Sequence, residues 1–248
     1  MIGRTLREWA RSLGYEVLRS DQAFGAKDVP IVKRVAPFTM TPPQRIIGLI
    51  EAVRYLVAEG IEGDFVECGV WRGGSMMAAA LTLIDSGDTS RNLHLFDTFE
   101  GMPPPTEKDK WASGEKAADV LGRTKREEGY SVWAYASLDD VKSNIASTGY
   151  PAAQVHYVQG KVEDTIPAGA PGKIAMLRLD TDWYESTKHE LEHLYQRLVP
   201  HGVLIIDDYG HWVGARQAVD EFFAALPRPR PLLQRLDYAA RIAIKPNA

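Results

Sequence analysis

Phe65-Val66-Glu67-Cys68-Gly69-Val70-Trp71-Arg72-Gly73-Gly74-Ser75 decides the fold. A short apolar run, rich in β-formers, breaks into a turn holding Gly69, Gly73 and Gly74. An apolar segment with helical spacing then begins. Glycines let a backbone take unusual dihedrals and come close to a ligand. A helix that starts after such a turn offers free N–H groups to an anion. Position 71 is Trp, so this is not the Gly-x-Gly-x-x-Gly turn of dinucleotide folds.

Outward from this stretch, strands alternate with helices. Further strands are expected at Leu93–Asp97, Val155–Gln159, Ile174–Asp180 and Gly202–Asp207, after a first at Asp64–Cys68. Helices are expected over 43–59, 73–86, 138–147, 186–198 and 213–225, the first opened by Pro42-Pro43. Two late strands, near 231–237 and 240–245, have no helix between them and read as a hairpin. This order predicts an α/β fold: a doubly wound, mostly parallel sheet of seven strands with an antiparallel C-terminal strand. Ligands of such sheets bind beyond the carboxyl ends of the strands.

Those ends carry the chemistry. Asp97 closes the second strand, where a carboxylate can accept both ribose hydroxyls of an adenosine ligand. Gly160, just past the third strand, opens a loop able to wrap an adenine ring. The fourth strand runs into Asp180-Thr181-Asp182, the fifth into Asp207-Asp208. Carboxylates about 4 Å apart repel by about 4 kcal/mol at an effective dielectric near 20. An all-oxygen set of this kind suits a hard divalent cation, magnesium above all. Cys/His clusters and His-Glu-x-x-His spacing are missing, which disfavours zinc. A metal would lower the pKa of a bound hydroxyl, and a nearby base would take its proton. Asp182 and His211 are the two candidates for that base.

Composition narrows the classes further. The chain has 248 residues, 45% hydrophobic and 25% charged, with net charge -4. It lacks the basic field of a nucleic-acid binder. A lone cysteine, Cys68, excludes an intrachain disulfide and fits a cytoplasmic protein. The N-terminus shows neither signal core nor membrane span. Residues 1–35 read as an adapter whose amphipathic helix packs or dimerises, with binding at a membrane surface the alternative, and a homo-oligomer is expected. Residues 102–137 break the alternation and read as a helical lid insert, because Trp111, Trp133 and Tyr135 would be costly to leave in water.

Four stretches carry a family resemblance: GDFVECGVWRGGS at 63–75, LFDTFEGMPPPT at 95–106, RLDTDWYEST at 178–187 and GVLIIDDYGHWVGARQAVDEFF at 202–223. The chain resembles the macrocin O-methyltransferase family, weakly from about residue 36 to the C-terminus outside these stretches. The resemblance implies a single Rossmann-like class I methyltransferase domain over 1–248, using S-adenosylmethionine and Mg2+. It implies Asp180, Asp207 and Asp208 as metal ligands, with Asp180 also serving in catalysis and against the cofactor. Glu67, Gly69, Arg72, Gly73, Gly74 and Ser75 would line the methionine end of the cofactor. Asp97 would hold the ribose beside Thr98 and Phe99, with Gly160 and Val162 facing the adenine. Thr39, Met40 and Thr41 are similar to a segment that closes over the cofactor. The implied acceptor is a sugar hydroxyl of a glycosylated natural product. A phenolic or surface-glycan hydroxyl is the alternative. A nucleotide-sugar glycosyltransferase, suggested by Asp180-Thr181-Asp182, and a non-catalytic cofactor-binding partner are the competing classes.

Overall fold

The computed structural model describes residues 9, 12–13, 25–124 and 131–247. The amphipathic segment expected near the N-terminus lies mostly outside these. Helix α1 (Val29–Val35) leads to α2 (Pro43–Ala58), the latter with Pro at its start. Then follow β1 (Asp64–Cys68), α3 (Gly74–Asp85), β2 (Leu93–Asp97), α4 (Ala117–Arg123), α5 (Leu138–Ala146) and β3 (Val155–Gln159). The second half holds α6 (Val162–Thr165), β4 (Ile174–Leu179), α7 (Tyr184–Leu194), β5 (Leu198–Ile206), α8 (Val213–Ala225), β6 (Gln234–Arg235) and β7 (Arg241–Ile244).

The seven strands form one sheet in the order β3-β2-β1-β4-β5-β7-β6. Strands β1 to β5 pair in parallel, and β7 is antiparallel to both β5 and β6. Alternate residues of the central strands feed two cores. Phe65, Leu95, Met176 and Val203 meet α1, α2, α3 and α5. Val66, Phe96, Leu177 and Leu204 meet α6, α7 and α8. This explains why these strands read as nearly continuous apolar runs.

Several bounds differ from expectation. Strand β4 ends at Leu179 and β5 begins at Leu198, four residues before the expected start. Helix α7 starts at Tyr184 and ends at Leu194, in place of 186–198. The insert contains α4, as expected of a helical insert, and its Ala117 and Leu121 share a small core with Trp183, Trp212 and Ala215 from the loops and helix after β4 and β5. Trp111, Trp133 and Tyr135 are each half-buried. No described helix is long and apolar enough to cross a membrane.

Candidate active site

A row of backbone hydrogen bonds continues past the ordered strands and ties their carboxyl ends together. Gly160 donates to Asp97 at 3.0 Å, Gly69 to Phe96 at 2.9 Å, Asp180 to Cys68 at 2.8 Å and Asp207 to Leu179 at 2.9 Å. Every polar strand end singled out from the sequence therefore meets along one edge. A cavity of about 630 Å³ runs along it, a size suited to a small-molecule site.

The glycine turn is held from below by Asp97. One carboxylate oxygen accepts from the Val70 and Trp71 amides at 2.6 and 3.1 Å, and the other from Phe99 N–H at 2.7 Å. Gly69 has φ 81°, and a Cβ there would collide with the Asp180 carbonyl. The turn and the acidic loop touch backbone to backbone, which only glycine permits. Trp71, Phe99 and Asp182 are non-glycine residues with φ of 46°, 53° and 68°. Such backbone strain gathers at functional sites.

Behind this edge sits a buried charge network. Arg178 Nη1 donates to Glu67 at 2.6 Å and pairs with Asp180 at 2.8 Å, while its Nη2 reaches Thr41 at 3.0 Å and also pairs with Asp207. Arg45, from α2, pairs with Asp207 and, at 2.7 Å, with Asp237. One oxygen each of Asp180, Asp207 and Asp208 falls within a 4.8 Å cluster. Burial pushes the Asp180 and Asp208 carboxyls well above the usual carboxylate range, with Arg178 opposing the shift at Asp180. Burial also lifts Asp182 to about 7, against its hydrogen bond with Asp208, and Glu67 to about 8, against Arg178.

At the other end of the cavity the insert folds against the loop after β5. Val213 donates to the Lys110 carbonyl at 2.8 Å and Ala112 to the His211 carbonyl at 3.2 Å. Asp109 is fully buried and accepts from Thr106 N–H at 2.7 Å and from Tyr184 N–H, the first residue of α7, at 2.8 Å. The indole N–H of Trp111 donates to His211 Nε2 at 2.7 Å. An indole nitrogen only donates, so Nε2 carries the lone pair and Nδ1 the proton. Nδ1–H then donates to the Tyr238 hydroxyl at 3.0 Å. Burial, and then Arg45, hold His211 below the usual imidazole range.

Of the residues expected at the site, Met40, Gly69, Ser75, Asp97, Thr98, Gly160 and Val162 line the cavity, as do Asp180, Asp182, Asp207, Asp208 and His211. Glu67, Arg72, Gly73, Gly74 and Phe99 stand off its lining. Glu67 is buried beneath Arg178, and Arg72 pairs with Asp140 at 2.8 Å. Gly74 packs so closely on Phe38 and Thr39 that a Cβ would clash. Sequence reasoning missed Arg45, Arg178 and Tyr238, all of which line the cavity. Arg178 left one signal, a charge inside the apolar run of β4. Arg45 and Tyr238 left none.

The fold is that of the Rossmann-like methyltransferases. The solved structure of the O-methyltransferase NovP is similar with a TM-score of 0.73 and 28% identity, over 85% of this chain and 83% of that one. A calicheamicin methyltransferase, CalS11, shares the fold with a TM-score of 0.62 at 18% identity, over 93% of this chain and 98% of that one. The chain belongs to the macrocin O-methyltransferase family: the family model Macrocin-O-methyltransferase (TylF) matches residues 11–241. It is 38% identical over 173 residues to the 8-demethyl-8-(2,3-dimethoxy-alpha-L-rhamnosyl)-tetracenomycin-C 4'-O-methyltransferase of Streptomyces olivaceus. That match covers 69% of this chain and 62% of the relative's length. It is 33% identical to the mycinamicin III 3''-O-methyltransferase of Micromonospora griseorubida, over 74% of this chain and 69% of that protein.

Proposed function

We propose that this protein transfers a methyl group from S-adenosylmethionine to a sugar hydroxyl of a small glycosylated natural product, with Mg2+ at the acidic edge. One observation carries the reading: a single cavity joins the glycine turn and Asp97 at one side to Asp180, Asp182, Asp207 and Asp208 at the other. The family and the names of its relatives support the reaction class and the sugar acceptor.

The residues present fit both groups. The Trp71 indole nitrogen is buried without a partner beside the glycine turn, a donor left over for a ligand. Asp208 Oδ2 is likewise buried and unpartnered next to Asp180 and Asp207. An orphaned buried carboxylate oxygen is costly unless a cation or donor meets it. Asp180, Asp207 and Asp208 would hold the metal, which lowers the pKa of an acceptor hydroxyl and orients it. The cofactor supplies an electrophilic sulfonium methyl for in-line displacement. Gly69, Ser75 and Gly160 let it approach the sheet edge closely, and Asp97 holds the turn beneath it.

Asp182 takes the acceptor proton. It lines the cavity beside the metal edge, while the lone pair of the alternative base, His211, is capped by Trp111. Holding the reacting oxygen near the methyl is the main catalytic contribution of the chain.

The test is methyl transfer to a rhamnosylated tetracenomycin acceptor, followed by mass spectrometry, with a free phenol in parallel. EDTA abolishes turnover and Mg2+ restores it; full activity in chelator overturns the metal role. Calorimetry shows S-adenosylhomocysteine binding and no nucleotide-sugar binding. The reverse result would make the protein a glycosyltransferase.

A further inference from the structure

Tyr238 belongs to none of the motifs that mark the ligand edge, yet it stands in the cavity. It sits in the turn between β6 and β7, and that turn is anchored on three sides. Asp237 accepts from the Ala239 and Ala240 amides at 2.9 and 2.7 Å and pairs with Arg45 at 2.7 Å. Gly210 donates to the Ala239 carbonyl at 2.8 Å. A Cβ on Gly210 would collide with the Tyr238 carbonyl, so the turn presses directly on the loop after β5. A rigid turn therefore carries an aromatic ring that stays 58% exposed. Large aromatic residues are usually better buried than this, and an apolar body with a polar tip suits an amphipathic ligand.

The hydroxyl of that ring has a defined polarity. Trp111 donates to His211 Nε2, so His211 donates from Nδ1 to the Tyr238 oxygen. The Tyr238 oxygen accepts in this bond, and its own hydrogen is left to donate. Among the described residues no acceptor lies within hydrogen-bond distance of it. The Arg45 guanidinium lies over the ring 5.7 Å from its centroid, steadying it and linking it to Asp207 at the metal edge.

We propose that Tyr238 is the acceptor-binding platform: a deoxysugar pyranose stacks its apolar face on the ring, and one of its oxygens accepts a hydrogen bond from the Tyr238 hydroxyl. This rests on the sugar O-methyltransferase reading and names the part of the acceptor that the chain recognises. The sugar ring is thereby placed between the insert and the acidic edge. Trp111 and His211 act behind Tyr238 as positioning residues that fix the direction of its hydroxyl.

The experiment uses the full chain loaded with S-adenosylhomocysteine and Mg2+, with methyl α-L-rhamnopyranoside as the probe. Saturation-transfer NMR of the wild type shows transfer to the ring C–H protons of the sugar. Tyr238→Ala loses that transfer and weakens binding about tenfold or more, whereas Tyr238→Phe keeps the transfer and weakens binding about three- to tenfold. Trp111→Phe weakens binding less than Tyr238→Ala. S-adenosylhomocysteine affinity stays unchanged in all variants, and sugar binding falls in Tyr238→Ala by more than any loss of thermal midpoint accounts for, which a merely structural role would not give. Equal sugar binding by the wild type and Tyr238→Ala overturns the proposal. So does a wild type that binds S-adenosylhomocysteine but not the glycoside. A wild type that fails to bind S-adenosylhomocysteine overturns the methyltransferase reading as well.

Discussion

The two ends of the cavity are built by different means. At the glycine turn, backbone meets backbone: Asp97 collects three amides, and Gly69 lies against the Asp180 carbonyl. At the opposite end, α2, the insert, the loop after β5 and the β6–β7 turn converge from distant parts of the chain. They are joined by backbone pairing and by side-chain bonds, Trp111 to His211, His211 to Tyr238, and Arg45 to Asp207 and Asp237. A backbone-built site tolerates little change, because each substitution must keep the dihedrals. A side-chain-built site can be altered one residue at a time without loss of the sheet. The difference teaches where specificity can diverge while the transfer chemistry stays constant.

The comparison can be broken or sharpened by substitution. The largest effect is expected at the boundary between the two ends. Asp180→Ala should lower kcat by about 10²–10³-fold, the usual cost of losing a preorganised electrostatic group. S-adenosylhomocysteine affinity, measured by calorimetry, should stay within a few-fold. Loss of cofactor binding instead would move Asp180 to the other end of the site. Next is Gly69→Ala, at φ 81° against the Asp180 carbonyl. Strain and overpacking together should destabilise the fold by about 2–4 kcal/mol in denaturant titration and abolish cofactor binding.

Asp109→Ala probes the acceptor end. It strips the Tyr184 and Thr106 amides of a buried acceptor, at a cost of about 1–3 kcal/mol. The acceptor KM should rise while cofactor affinity holds; a change in cofactor affinity of equal size would show that the two ends are not separable.

The smallest effect concerns Asp140, which Arg72 holds below the usual carboxylate range through a partly exposed pair. A lowered folded-state pKa contributes stability that is fully present above the unfolded value near 4 and is lost as pH falls through the folded value. Asp140→Asn should therefore reduce stability at pH 7 by under about 1 kcal/mol. The difference from wild type should vanish in acid, and a difference that persists at pH 2 would exclude the ion pair as its source.

Much of the fold is legible because it is local. Strands β1, β2 and β3 begin and end where the apolar runs do. The elements whose bounds differ have tertiary causes. Helix α7 starts early because the insert's Asp109 accepts from the Tyr184 amide, a cap supplied by a residue 75 positions away. Strand β5 extends back to Leu198 through Pro200, since His201 donates to the Lys245 carbonyl of the C-terminal segment. Among site residues, the acidic strand ends could be read because four carboxylates at two adjacent strand ends repel one another unless a cation joins them. Arg45 could not be read: nothing in an amphipathic helix says that one arginine reaches a carboxylate 162 positions on.

What the sequence by itself determined is the succession of strand, glycine turn and helix, and the chemical type of residue at each strand end. Neighbouring residues set those features, through backbone dihedrals and hydrophobic period, and neighbours are what a sequence lists. Only the tertiary structure decided which carboxylate oxygens are already held by arginines and which one at the acidic edge is orphaned. It also decided that His211 has its lone pair capped and its proton turned toward Tyr238. The pairs behind these features, Arg178 with Glu67 and Trp111 with His211, span 111 and 100 positions. The burial of the apolar cores, including the small one at the insert, brings them together, rather than any pattern local to the residues themselves.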